Sequence, residues 1–228
     1  MRSAIKLLYF SMGFFLLSCG GEGEHPLKEE HYYLEEVHKE WLAPDSIGEV
    51  FIMKDINGIS SSFRMTGNNE TFGKSWSTFL GINTRTSYTE ECFQSFKSGF
   101  GMVLGISMRA NSPPHGDHIT ISLEQVDFSY DFDFETIYSL YTPFGNKNLL
   151  MTDKGYEAHD DLEIMSTVEI LDSLLTAYGT YQEVLHFTLK DFNNYWIDFT
   201  VIEIYLAKEV GLVKYVLASG ISSERFPK

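Results

Sequence analysis

A chain of 228 residues that is 43% hydrophobic and 21% charged is long and apolar enough to bury a sizeable core, which excludes a disordered polymer. Its formal net charge of −15 repels phosphate backbones and anionic headgroups, so nucleic acid is not an expected partner. The acidic balance reads first as a solubility device.

Arg2 and Lys6 precede an apolar run from Leu7 to Leu17. Eleven helical residues span about 16 Å, half of the roughly 30 Å hydrocarbon core. The run is therefore expected to be the hydrophobic part of a signal peptide rather than a membrane span. It closes on Leu16-Leu17-Ser18-Cys19, which resembles a bacterial lipobox. The resemblance implies a signal peptide over 1–18, recognition through Leu16, Leu17 and Ser18, and attachment of lipid to Cys19. Loss of Arg2 and Lys6 leaves 15 basic against 32 acidic residues, a net −17. Each buried methylene of acyl chains such as palmitate contributes about 0.8 kcal/mol, so such an anchor holds permanently.

Residues 19–30 then read as an anchor and tether. Gly20-Gly21-Glu22-Gly23-Glu24 combines flexible glycines with solvating acids. The acidic run is similar to the surface-export signal of Bacteroidota-type lipoproteins, and Gly20 stands where an inner-membrane retention signal has aspartate. The expected location is the outer membrane, with the surface and periplasmic faces both open. Asp45-Ser46-Ile47 and Asp172-Ser173-Leu174 are similar to the O-glycosylation triplets of the same kind of secreted protein. With Cys19 taken by lipid, Cys92 has no disulfide partner and is expected to be a buried core cysteine.

Over residues 31–48, Tyr33, Val37 and Trp41 recur at helical spacing, with Leu34 and Leu42 beside them and Pro44 as a stop. The spacing predicts a helical entry segment packed on the main domain. From Glu49 the period becomes two, and 49–228 is expected to be a β-rich domain, with a subdivision near residue 145 as an option. Glu49–Met53 and Ser60–Thr66 read as a hairpin around Asp55-Ile56-Asn57-Gly58. Gly67–Gly73 reads as a polar loop, with further strands near Ser75–Phe79, Thr84–Tyr88 and Met102–Arg109.

Asn111–Asp117 is a proline- and glycine-broken loop. His115, Asp117 and His118 within and beside it are the ligand-like cluster of the chain and its weak metal candidates. Three residues so close in sequence need a distant fourth partner, which His159-Asp160-Asp161 would supply only if the fold brought it near, so no metal and no cofactor is expected. Ile119, Ile121 and Leu123 alternate with polar residues. Phe128, Tyr130, Phe132 and Phe134 alternate with Asp127, Ser129, Asp131, Asp133 and Glu135. Side chains alternate across a strand, so the acids should form one solvated row on an antiparallel sheet. That row lacks the loop geometry of a calcium motif.

Gly155–Asp161 reads as a turn-rich connection, Leu162–Leu171 as a strand or short helix, and Tyr181–Leu189 as a strand before a polar loop. Trp196–Ala207 is apolar on both faces, as a centrally buried strand would be. Tyr205-Leu206-Ala207-Lys208-Glu209-Val210-Gly211-Leu212-Val213-Lys214-Tyr215 resembles a hairpin near the C-terminus of many β-rich bacterial lipoproteins of unknown function, with Tyr181 and Val184 in the preceding strand. That pattern carries glycine in the turn where this chain has Glu209. The resemblance implies a β scaffold and supplies no catalytic residue.

The expectation is a mainly β fold, an antiparallel sandwich or partly open barrel with a short N-terminal helix. No nucleophile elbow and no Ser-His-Asp order marks an enzyme. The expected function is that of a lipid-anchored, non-catalytic binding module, attached to the membrane through its N-terminal lipid and taking a glycan or protein ligand. The alternative is a periplasm-facing lipid or lipoprotein handler with an apolar cavity.

Overall fold

A computed structural model describes residues 28–79, 82–111, 116–124, 126–142, 145–148, 150–152, 155–157, 166–189 and 200–227. The lipobox, Cys19, the tether before residue 28, His115, His159 and the 190–199 segment lie outside the described residues. Two compact units are distinguished: Met1–Glu29 with Trp76–Thr86, and Glu30–Ser75 with Ser87–Lys228. The core, the side-chain clusters and the cleft described below lie in the second.

The fold is mainly β, a nearly closed, barrel-like antiparallel sheet. Its strands are β1 (Lys28–Tyr32), β2 (Val50–Asp55), β3 (Ser60–Phe79), β4 (Ile82–Ser98), β5 (Val103–Arg109), β6 (His118–Leu123), β7 (Val126–Asp131), β8 (Thr136–Thr142) and β9 (Gly145–Asn148). A separate pair, β10 (Leu150–Thr152) and β11 (Gly155–Glu157), is followed by β12 (Ser166–Thr176), β13 (Gly179–Leu189), β14 (Val201–Ala207), β15 (Gly211–Leu217) and β16 (Ser222–Phe226). The order is β12-β13-β14-β15-β16 and then β2 through β9, with β1 pairing to β4. β16 and β2 join the C-terminal strands to the N-terminal ones, and β12 comes against β8.

Alternation builds the core in rows. Gln94, Ile106, Ile121, Phe128 and Leu140 are successive partners across β4 to β8; Cys92, Met108, Ile119, Tyr130 and Ile137 form a second row. All of them are buried. From β13, Phe187 stacks on Phe128 at 4.1 Å, so rings from the two parts of the sheet meet in the core. Cys92 belongs to this core and is free, as expected.

Several expectations are corrected. The entry segment is not a helix over 31–48: Lys28–Tyr32 is strand, and a single helical turn, α1 (Glu36–Lys39), follows. Trp41 is buried, but Tyr33 is 63% and Val37 45% exposed, so the apparent stripe is not one face. Gly67–Gly73 is not a loop but part of β3. A Cβ at Gly67 would lie 2.7 Å from Ser95 Oγ, and one at Gly73 2.7 Å from Glu91 Oε1. These glycines therefore make room for side chains of β4 rather than break the strand.

The acid row is also interrupted. β7 ends at Asp131, which is fully buried, and its Oδ1 accepts from Asp133 N at 2.9 Å and Phe134 N at 3.0 Å. A carboxylate that caps its own turn is satisfied without water. In β14 a register shift between Val201 and Glu203 places Val201 in the main core with Ile204 and Leu206, away from the Tyr205 face. Leu162–Leu171 resolves as strand over its described part.

The outer face of the C-terminal strands carries a second cluster of Val184, Tyr205, Ala207 and Val213. The end of the β12–β13 hairpin packs beside it. Glu183 takes φ +46° within β13, and its carboxylate pairs with Lys208 at 3.0 Å. Nearer the hairpin end, Tyr178 packs edge-on to Phe226 at 5.0 Å, and Ala177 N donates to Glu224 Oε2 at 2.8 Å.

Candidate functional site

Residues 34–45 are seated by side chains that the barrel offers to their backbone. Glu90, Cys92, Gln94 and Phe96 share the inward face of β4, so a strand period delivers a carboxylate, a thiol and an amide to one place. Glu90 Oε2 accepts from Leu34 N at 2.9 Å. Gln94 holds both groups of one peptide residue: its Oε1 accepts from Ala43 N at 2.9 Å and its Nε2 donates to Ala43 O at 2.7 Å. Asp117 Oδ2 accepts from Glu35 N at 2.7 Å and pairs with His38 Nδ1 at 2.8 Å, while the His38 ring stacks on Phe132. Arg225 Nη2 meets Asp45 Oδ2 at 3.3 Å, and its guanidinium lies over the Phe51 ring.

Buried polar groups are costly unless paired, and here each pairing ties the segment to the sheet. These bonds explain why the segment is not helical: amides that a helix would direct to carbonyls four residues back are taken by β4 and by Asp117. Leu34, Trp41 and Ala43 enter the main core as a result.

Between this segment and the sheet lies a cleft of about 700 Å³. It is lined by Glu36, Glu40, Glu70 and Glu209 against a single cation, Lys39, with Asn68, Asn69, Cys92 and Gln94 supplying further polar groups. Lys39 Nζ contacts Glu90 Oε1 at 2.6 Å and Glu36 Oε1 at 3.2 Å. The bond to Glu90 holds the ammonium above the usual lysine range, against the effect of burial. Burial pushes the Cys92 thiol up, and the nearby Glu70 and Glu90 carboxylates add to that shift. The thiol is therefore protonated near neutral pH and is a poor nucleophile.

Asp117 and His118, of the residues singled out in the sequence, are described and part company. Asp117 serves the clasp on residues 35 and 38. His118 pairs in register with Arg109 and Asp131, and burial, followed by Arg109, lowers its pKa to about 4. Among the described residues, the three-ligand cluster is instead Glu70, Glu90 and Cys92, whose donor atoms lie within 4.8 Å of one another. Sequence reasoning passed over Glu90, Gln94 and Lys39. The available signal was polar residues in phase with Cys92 and Phe96 on one strand.

A hydroxyl–imidazole–carboxylate relay lies on the outer face. Thr188 Oγ1 is 2.9 Å from His186 Nε2, and His186 Nδ1 is 3.0 Å from Glu169 Oε1. It sits where β13 is paired on both sides by β12 and β14. Its neighbouring amides are thus engaged in ladders and offer no oxyanion hole. The His186 ring stacks on Tyr205 at 4.1 Å, and this group reads as a cover for the second cluster.

No protein-family model matches the chain, and comparison with curated proteins and with solved structures likewise finds no match.

Proposed function

We propose that this chain is a lipid-anchored module of the bacterial outer membrane, held through Cys19, which acts without catalysis and binds a positively charged protein segment in its acidic cleft. The observation that carries the binding reading is the cleft's composition: four glutamates and one lysine around about 700 Å³. Such a rim attracts lysine- or arginine-rich segments and repels nucleic acid and acidic lipid. The anchor rests on the lipobox resemblance and the short apolar run before it. A lipid handler would need an apolar chamber, whereas stacked Phe128 and Phe187 occupy the interior of the larger unit.

The binding half is tested with the full chain carrying Cys19→Ser, in non-ionic detergent, titrated with a fluorescent lysine-rich peptide. Replacing Glu36, Glu40 and Glu209 together with Gln should weaken binding about tenfold, since rim charge pairs contribute roughly 0.2–1 kcal/mol each. The charge-matched set Glu124→Gln, Glu135→Gln and Asp172→Asn, exposed and outside the cleft, should change it much less. Equal weakening by both sets would mean attraction by overall charge and no site. The anchoring half is tested by palmitate labelling and fractionation: a Cys19→Ala chain that stays labelled and membrane-bound refutes it.

A further inference from the structure

We infer that Glu70 and Cys92, which line the cleft, form with Glu90 a binding site for a thiophilic divalent cation of the zinc class. The site shares Glu70 with the cleft lining of the binding proposal, uses none of Glu36, Glu40 and Glu209, whose replacement tests that proposal, and does not depend on the lipid anchor. The three donor atoms come from adjacent strands and lie within 4.8 Å of one another. A tetrahedral metal at the usual 2.3 Å to sulfur and about 2.1 Å to oxygen sets its ligands roughly 3.6 Å apart. Closing the cluster therefore takes shifts of about an ångström, within reach of the exposed Glu70 side chain.

Cys92 is a free cysteine, only 7% exposed, and it lines the cleft. A buried thiol beside two carboxylates combines one soft donor with two hard ones. A positive charge also already sits against the cluster: Lys39 Nζ lies 2.6 Å from Glu90 Oε1. Glu90 keeps its Oε2 on Leu34 N, which orients Oε1 as one ligand. Lys39, also bonded to Glu36, can remain on that carboxylate when the metal takes Oε1.

The donor set selects the ion. One thiolate with two carboxylates suits Zn²⁺ or Cd²⁺, whereas Ca²⁺ and Mg²⁺ need all-oxygen shells. On binding, the Cys92 S–H bond breaks, the sulfur electron pair forms the metal bond, and one proton goes to solvent. No oxidation is involved. The fourth position opens to the cleft for water or a ligand atom.

The test titrates the full chain carrying Cys19→Ser with Cd²⁺, following the ultraviolet thiolate-to-cadmium band, with far-ultraviolet circular dichroism as a check on folding. We expect one Cd²⁺ bound with release of one proton, displacement by Zn²⁺, and no displacement by Ca²⁺ or Mg²⁺. Cys92→Ser should abolish the band. Glu70→Gln, at an exposed position, should leave the fold intact and weaken binding about tenfold or more. The rim variant with Glu36, Glu40 and Glu209 replaced should still bind Cd²⁺ even where it loses the peptide. Absence of the band in folded protein overturns the proposal, and so does an affinity unchanged by Glu70→Gln, which would mean a lone thiol binding metal adventitiously.

Discussion

Gln94 is an amide on an otherwise apolar inward row, and its position decides what it does. It satisfies the N–H and the C=O of Ala43 at once. Gln94→Leu keeps the size and removes both bonds, leaving two buried backbone groups without their side-chain partner. We expect a loss of about 2–3 kcal/mol in urea unfolding at unchanged m-value. His118 makes the matching point for charge. Burial first, and then Arg109, hold its pKa at about 4, with Asp131 and Asp117 opposing. In the unfolded chain it titrates near 6.5, so between pH 6.5 and 4 the unfolded state binds the extra proton. Stability should therefore fall as pH drops through that window, by up to about 3 kcal/mol from this residue. His118→Asn should flatten this part of the stability–pH curve relative to the parent chain. Equal slopes in the two proteins would contradict the assignment.

Among the elements, the β14–β15 hairpin shows how a turn adapts to an unfavourable residue. Ala207 pairs with Gly211, and the intervening Glu209 is held at φ +57° while its N–H donates to Glu40 O at 2.6 Å. The left-handed conformation costs glutamate about 1–2 kcal/mol, and the bond to the entry segment offsets part of it. Gly211 supplies the other positive φ, +82°, and a Cβ there would lie 2.9 Å from Ala43 Cβ. Gly211→Ala combines backbone strain with crowding and should destabilise by about 2–3 kcal/mol. Adding Ala43→Gly should recover only the crowding part. Full recovery, measured by urea unfolding of the pair, would show that strain at Gly211 is negligible.

Over the whole molecule, legibility in the sequence followed the wetness of each face. β6 alternates cleanly because one face is core and the other polar, and His118–Leu123 was readable from Ile119, Ile121 and Leu123 alone. The middle of β3 was not readable: residues 68–72 are exposed, so no apolar period marks the strand, and its glycines mimic a loop. The entry segment misled in the opposite sense. Its i, i+4 aromatics suggested a helix, but the binding of its amides to Glu90, Gln94 and Asp117 depends on residues 51 to 82 positions away. The cleft was illegible for the same reason, since Lys39, Glu70, Glu90 and Cys92 meet only after β3 and β4 pair and the segment docks.

Everything argued about the cleft requires that residues 34–45 be part of the folded core and not a continuation of the tether. Native-state hydrogen exchange at the amides of Leu34 and Ala43 tests this most directly. If the segment is integral, both should exchange only through global unfolding, with protection that tracks urea as closely as that of Ile106 and Ile121 in β5 and β6. Exchange of Leu34 and Ala43 at low, urea-independent opening energies, with the β5–β6 amides still protected, would show the segment peeling away. The cleft would then not be a preformed site.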